Sequence, residues 1–271
     1  MGERSERASR SRLTAAFPRD RAALITYLMA GYPDRAMSLE SLHAAARAGS
    51  DVIELGVPYG DPLADGPVIA EAAAIAREQG GGFGLAESIS LAAEFIVGTG
   101  GADGGEPPPV VLMTYLNPLM RFGLQHAAEA MREAGVAGII VPDMPPEAAR
   151  PWLAVSEDID TVFLAAPTST DERMAVVTGA SAGFVYCVST TGTTGERDTL
   201  AAGIGALVER IRAHTSLPVA VGFGVSTPEQ VAEVARLADG VIVGSAIVKR
   251  QGDPAAVGEM VHLLAVAAGR T

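Results

Sequence analysis

Eight short apolar runs, most of them one βα unit apart in a chain of 271 residues, predict an α/β protein: a single (β/α)8 TIM barrel with extra helices. The runs cover residues 23–29, 51–57, 110–115, 136–141, 161–166, 183–188, 217–222 and 240–244, and their starts lie 28, 59, 26, 25, 22, 34 and 23 residues apart. Each is near-continuously apolar, as a strand covered on both faces must be. Amphipathic stretches fill the intervals, and the length suits one barrel of about 250 residues. The expected organisation is a flexible N-terminal tail over 1–12 and one catalytic barrel over 13–271. An open doubly wound sheet would more often show fewer strands or a second domain.

The first run is followed by a helical pattern over 38–48. The second run alternates: Val52, Glu54 and Gly56 share one face, Ile53, Leu55 and Val57 the other. An acidic side chain on an apolar strand is costly unless paired or neutralised. Catalytic groups of a barrel come from the C-terminal strand ends, so Glu54 reads as an acid/base residue. The loop beyond it, Tyr59-Gly60-Asp61-Pro62-Leu63-Ala64-Asp65-Gly66-Pro67, carries two aspartates that on their own suggest caps. The long second interval predicts an extra helix and ends in a Gly/Pro-rich loop over 98–109, at the end of the barrel away from the chemistry. The uncharged stretch 174–195 is rich in Gly, Ser and Thr and reads as a strand and loop. Its polar, glycine-hinged continuation over 189–198 suits a mobile lid. Thr227-Pro228-Glu229-Gln230 spells a capping box before a helix over 228–235.

Two glycine elements close the chain. Gly222-Phe223-Gly224 ends the seventh run, and Gly244-Ser245 ends the eighth, just before a short helix. Loops after strands seven and eight form the recurrent phosphate site of barrels, because glycine lets backbone amides approach an anion. Neither a dinucleotide-binding fingerprint nor a P-loop is present.

Composition removes other classes. The net charge of −12 offers no basic face for nucleic acid. Cys187 is the one cysteine, so no internal disulfide forms and a reducing, cytoplasmic compartment is expected. The four histidines lack metal-ligand spacing, so no metal is expected. The N-terminus has four Arg and two Glu but no apolar segment, and no stretch suits a membrane span. The one lysine, Lys249, follows the eighth run, so a strand lysine for Schiff-base chemistry is missing. Any carbon–carbon cleavage of a phosphorylated substrate would then have to rely on carboxylate proton transfers and a stabilised leaving group, and an indole protonated at carbon 3 would be such a group.

The stretch from Glu54 to Pro67 resembles the signature of the tryptophan synthase alpha chain family, and the likeness runs from about residue 10 to the C-terminus. It includes Met29-Ala30-Gly31-Tyr32-Pro33, Met113-Thr114-Tyr115-Leu116-Asn117-Pro118, Val141-Pro142-Asp143-Met144-Pro145, Gly222-Phe223-Gly224-Val225-Ser226 and Gly244-Ser245-Ala246-Ile247-Val248. The resemblance implies a lyase of tryptophan biosynthesis that cleaves indole-3-glycerol phosphate to indole and glyceraldehyde 3-phosphate. It implies no cofactor in this chain, and a pyridoxal-phosphate beta chain as partner in an α2β2 heterotetramer. Carried over residue by residue, it makes Glu54 the acid/base, Asp65 the carboxylate holding the indole N–H, and Tyr186 the active-site tyrosine. It assigns phosphate binding to Gly195, Gly222, Gly224, Gly244 and Ser245, and the indole pocket to Tyr27, Ile69 and Met113. Thr194 is the lid residue that bonds Asp65, and Asp61 and Pro62 form the partner loop. Tyr27 stands where the family usually has Phe, Gly60 where a polar residue is common, and Thr190 where many members have Arg; the 98–109 loop is longer than usual. A stand-alone lyase releasing free indole shares these motifs, and a non-catalytic activator of a beta chain is the reading from another class.

Overall fold

The computed structural model describes residues 11–62, 65–78, 82–99, 106–189, 197–222 and 224–270, with the side chains of 197–202 excepted. All eight apolar runs form parallel strands: β1 (Ala23–Met29), β2 (Val52–Gly56), β3 (Val110–Met113), β4 (Gly138–Ile140), β5 (Asp160–Val162), β6 (Leu164–Ala165), β7 (Val185–Val188), β8 (Val219–Gly222) and β9 (Gly240–Val243). The fifth run supplies two of them, because it breaks at Phe163. β5 pairs with β4 and β6 pairs with β7. The neighbour order β5-β4-β3-β2-β1-β9-β8-β7-β6 therefore starts and ends within one run, which is how the barrel closes.

The helices are α1 (Arg12–Ala15), α2 (Arg35–Ala48), α3 (Pro67–Glu78), α4 (Leu85–Thr99), α5 (Leu116–Phe122), α6 (Leu124–Glu133), α7 (Arg150–Leu153), α8 (Asp171–Ala180), α9 (Arg197–Arg212), α10 (Pro228–Ala235), α11 (Ser245–Val248) and α12 (Pro254–Ala267). The long second interval holds α3 and α4, the expected extra helix. The capping box is present: Thr227 accepts from Gln230, and the Gln230 side chain accepts from the Thr227 amide.

Three boundaries differ from expectation. Residues 174–180 belong to α8, whose N-cap Thr170 accepts from the Arg173 amide at 3.2 Å and starts a helix ahead of the Ser/Gly punctuation. Gly98 and Thr99 close α4 instead of opening a loop, with Thr99 Oγ1 donating to Phe95 O at 2.8 Å. Ser11 and Arg12, assigned to the tail, are already packed. Ser11 caps α1, its hydroxyl donates to buried Asp160, and Thr14 Oγ1 donates to Gly183 O at 2.7 Å. These bonds seat α1 under the barrel, where fully buried Leu13 joins the inner core.

Period-two alternation sorts the strand side chains into two cores. Leu24, Leu28, Ile53, Leu55, Leu112, Ile139, Val185, Val221 and Val241 face outward to the helices. Ile25, Tyr27, Val52, Val111, Met113, Ile140, Val162, Phe184, Tyr186, Ala220 and Ile242 fill the barrel. At the N-terminal end of β2, Asp51 accepts from both terminal nitrogens of Arg21 (2.7 and 2.6 Å), from Arg270 (2.7 Å) and from the Leu24 amide (2.8 Å).

Candidate active site

Alternation places Glu54 on the inner wall, between Tyr27 of β1 and Val111 of β3 in the strand register. It is fully buried, and neither carboxyl oxygen has a hydrogen-bond partner among the described residues. Removal from water disfavours the charged form, and the nearby Asp65 charge adds to this, so the Glu54 pKa is pushed up to about 8. No described Lys, Arg or His forms an ion pair with either acid. Glu54 thus holds a proton near neutrality that it can also give up, which is what a general acid/base requires.

Asp65 reaches the same space from the loop after β2. Its amide donates to Pro62 O at 3.3 Å. Burial raises its pKa, and the Tyr115 hydroxyl, donating to the carboxylate, opposes that rise. Two further phenols face the carboxylates. Burial, then Asp65 and Glu54, raise the Tyr27 pKa well above 10, and burial followed by Glu54 does the same for Tyr186. Both stay protonated donors at any working pH.

Glycines make room for these rings. A Cβ on Gly222 would fall on the Tyr186 hydroxyl, and one on Gly56 would fall on the Tyr27 hydroxyl. Gly244 differs, since a Cβ there would sit 3.5 Å from Tyr27 Cβ and 3.6 Å from Ile69 Cδ1, ordinary contact distances. Gly224 has φ +85°, a left-handed conformation that favours glycine. Gly222, Gly224, Gly244 and Ser245 stand at or just beyond the C-terminal ends of adjacent strands β8 and β9, beside this mouth. Tyr27, Met113 and the half-buried Ile69 belong to one apolar cluster with Tyr186. Gly195, Thr194 and Thr190 lie outside the described residues.

Asp61 and Pro62 sit on the outer rim of the mouth. Asp61 is exposed and lines a groove of about 600 Å³ together with Tyr59, Gly60, Arg77, Asn117 and Arg121. A Cβ on Gly60 would meet the Arg77 guanidinium at 2.6 Å, so the missing side chain is where that arginine packs. Sequence reasoning overlooked Arg77, Gly56 and Tyr115. Tyr115 was findable: it lies two residues past Met113 on the same run and so faces the same way. Its ring also packs 5.0 Å from that of Tyr59.

The mouth thus brings two carboxyl groups together beside the glycine loops that follow the last two strands. The family model for the tryptophan synthase alpha chain matches residues 13–266. The chain belongs to that family. As a tryptophan synthase alpha chain it is a lyase that cleaves indole-3-glycerol phosphate in tryptophan biosynthesis. The tryptophan synthase alpha chain of Mycobacterium avium is 45% identical over 236 residues, covering 86% of this chain and 83% of the relative. That of Roseiflexus castenholzii is 43% identical, covering 88% and 90%. Among solved structures, tryptophan synthase from Mycobacterium tuberculosis superposes with a TM-score of 0.85 at 41% identity, covering 96% of this chain and 99% of that one. The alpha subunit from Legionella pneumophila gives 0.83 at 30% identity, covering 95% and 98%.

Proposed function

We propose that Glu54 and Asp65 carry out the cleavage, with Glu54 serving twice. The observation that supports this most is the Glu54 carboxyl, buried and unpaired among apolar residues one wall away from a second acid. Protonated Glu54 gives its proton to carbon 3 of the indole ring, and positive charge develops on the ring nitrogen. Asp65, ionised and held by Tyr115, accepts a hydrogen bond from that N–H and stabilises the charge. The glycerol hydroxyl next to the ring then loses its proton to the Glu54 carboxylate. The bond between the ring and the glycerol carbon breaks, and its electron pair returns to the ring. Indole and the aldehyde of glyceraldehyde 3-phosphate leave, and Glu54 is protonated again. Tyr186 offers a neutral donor on the far wall. Gly195, Gly222, Gly224, Gly244 and Ser245 cradle the phosphate, and Tyr27, Ile69 and Met113 enclose the ring.

The partner is a tryptophan synthase beta chain, in an α2β2 assembly that holds pyridoxal phosphate on the beta side. Asp61 and Pro62 rim the groove it grips, and Thr194 of the lid bonds Asp65 on closure. No described helix is long and apolar enough to cross a membrane. The single cysteine supports a reducing, cytoplasmic setting.

The test is Glu54→Gln. Turnover is expected to fall at least 10³-fold, since one residue serves two proton transfers worth about 10²–10⁴ each. Affinity for an indole-3-alkyl phosphate lacking the hydroxyls should change little. Near-normal turnover of the folded variant overturns the assignment. A full rate without any beta chain would instead favour a stand-alone lyase.

A further inference from the structure

Two tyrosines occupy matching positions on different walls of the barrel mouth. Tyr186 registers with Ala220, and Gly222, two residues further along β8, leaves the notch that its hydroxyl fills. Tyr27 registers with Glu54, and Gly56, two residues further along β2, leaves the notch that its hydroxyl fills. The same offset thus recurs on two strand pairs. Because alternate residues share a face, Gly56 stands directly beyond Glu54 on the inner wall, one step nearer the opening. The Tyr27 hydroxyl therefore lies one step nearer the opening than Glu54 on the same wall. The base of its ring borders Gly244, where a Cβ would be 3.5 Å from Tyr27 Cβ and 3.7 Å from Cδ1. One side chain spans the wall from the glycine loop after β9 to Glu54.

Tyr27 is only 4% exposed, yet its hydroxyl is not among the side-chain atoms sealed from solvent without a partner, so the little surface it keeps leaves the hydroxyl open. An open phenol here is a donor that a phenylalanine of the same shape would lack. What fills the mouth can supply its acceptor. We infer that the Tyr27 hydroxyl is a substrate-contacting group, donating a hydrogen bond to an oxygen of the three-carbon polyol chain between ring and phosphate. This rests on the proposed site, in which that chain runs between Glu54 and Gly244. The ring of Tyr27 serves as apolar wall, and its hydroxyl reads the polyol.

The test is Tyr27→Phe, which removes one oxygen and keeps the shape. Two quantities are compared: kcat/KM for indole-3-glycerol phosphate, and Kd for indole-3-propyl phosphate, which has the ring and phosphate but neither hydroxyl. The expected result is about a tenfold loss for the substrate, one hydrogen bond's worth, with the analogue's Kd unchanged within about twofold. Equal weakening of both ligands would reduce Tyr27 to packing and overturn the inference, as would no loss for either. Glu54→Gln assayed alongside identifies which reading has failed. If that variant is inactive while Tyr27→Phe matches the parent on both ligands, the Tyr27 inference alone falls. If Glu54→Gln turns over normally, the site itself is misassigned.

Discussion

Asp51 and Glu54 are three residues apart on one strand run, and they have opposite surroundings. Asp51, at the floor of the barrel, accepts hydrogen bonds from Arg21, Arg270 and the Leu24 amide. Glu54, near the mouth, accepts none from the described residues, and the titratable groups that act on it are another acid and phenols. A carboxylate with two guanidinium partners is fixed in position, and it joins the N-terminal segment, β2 and the C-terminal segment. A carboxyl without a cation keeps a proton that can be exchanged near neutrality. The same chemical group is structural at one end of the barrel and reactive at the other, and the difference lies in what the fold brings to it.

The strongest way to break that contrast is to neutralise Glu54 and follow stability against pH. The unfolded pKa is near 4.5 and the folded value about 8, so the folded chain binds this proton more tightly. Its contribution to stability is fully present below pH 4.5 and is lost as the pH rises through 8. Glu54→Gln should therefore match the parent near pH 4.5 and exceed it by a few kcal/mol at pH 8.5 in urea unfolding. A Gln variant that is less stable at pH 8.5 would mean that Glu54 has a partner after all.

Asp51→Asn should behave in the opposite way. It removes the negative charge and one of the two oxygens that hold Arg21, Arg270 and the Leu24 amide, and should cost about 2 kcal/mol of stability, while kcat stays within about twofold. A loss of turnover approaching that of Glu54→Gln would show that floor and mouth are not separate.

A smaller effect sharpens the picture of the mouth. The sequence alone suggests that a side chain at Gly222 raises KM by blocking phosphate. The structure adds that a Cβ there displaces the Tyr186 hydroxyl, so Gly222→Ala should also lower kcat, by about tenfold. A change confined to KM would return Gly222 to a purely phosphate-facing role.

The strands were legible because buried parallel strands write themselves as apolar runs, and the inner placement of Glu54 followed from simple alternation. The break at Phe163 was not legible. There the run changes partners, from β4 on one side to β7 on the other, and such closure has no local signature. The α8 boundary was hidden for a different reason: the Thr170 cap outweighs the Gly and Ser content that suggested a loop. The pairing of Asp51 and the isolation of Glu54 were equally invisible, since both depend on where distant arginines come to rest. Tyr115 was readable by the same alternation that found Glu54, but only its neighbour Met113 was assigned to the pocket.

Leu13 has one more consequence. With α1 tied to Asp160 and Gly183 beneath the sheet, this side chain stoppers the lower opening, and Val52, Val111, Val162 and Phe184 fill the space above it. The barrel is a cup and not a pipe. Among the described residues the open end is the one with the loop that carries Asp61 and Asp65 and the glycines opposite, so a ligand of the proposed site enters and leaves on that side. Filling and emptying such a cup happen at one end, so a body resting against its rim stands beside both.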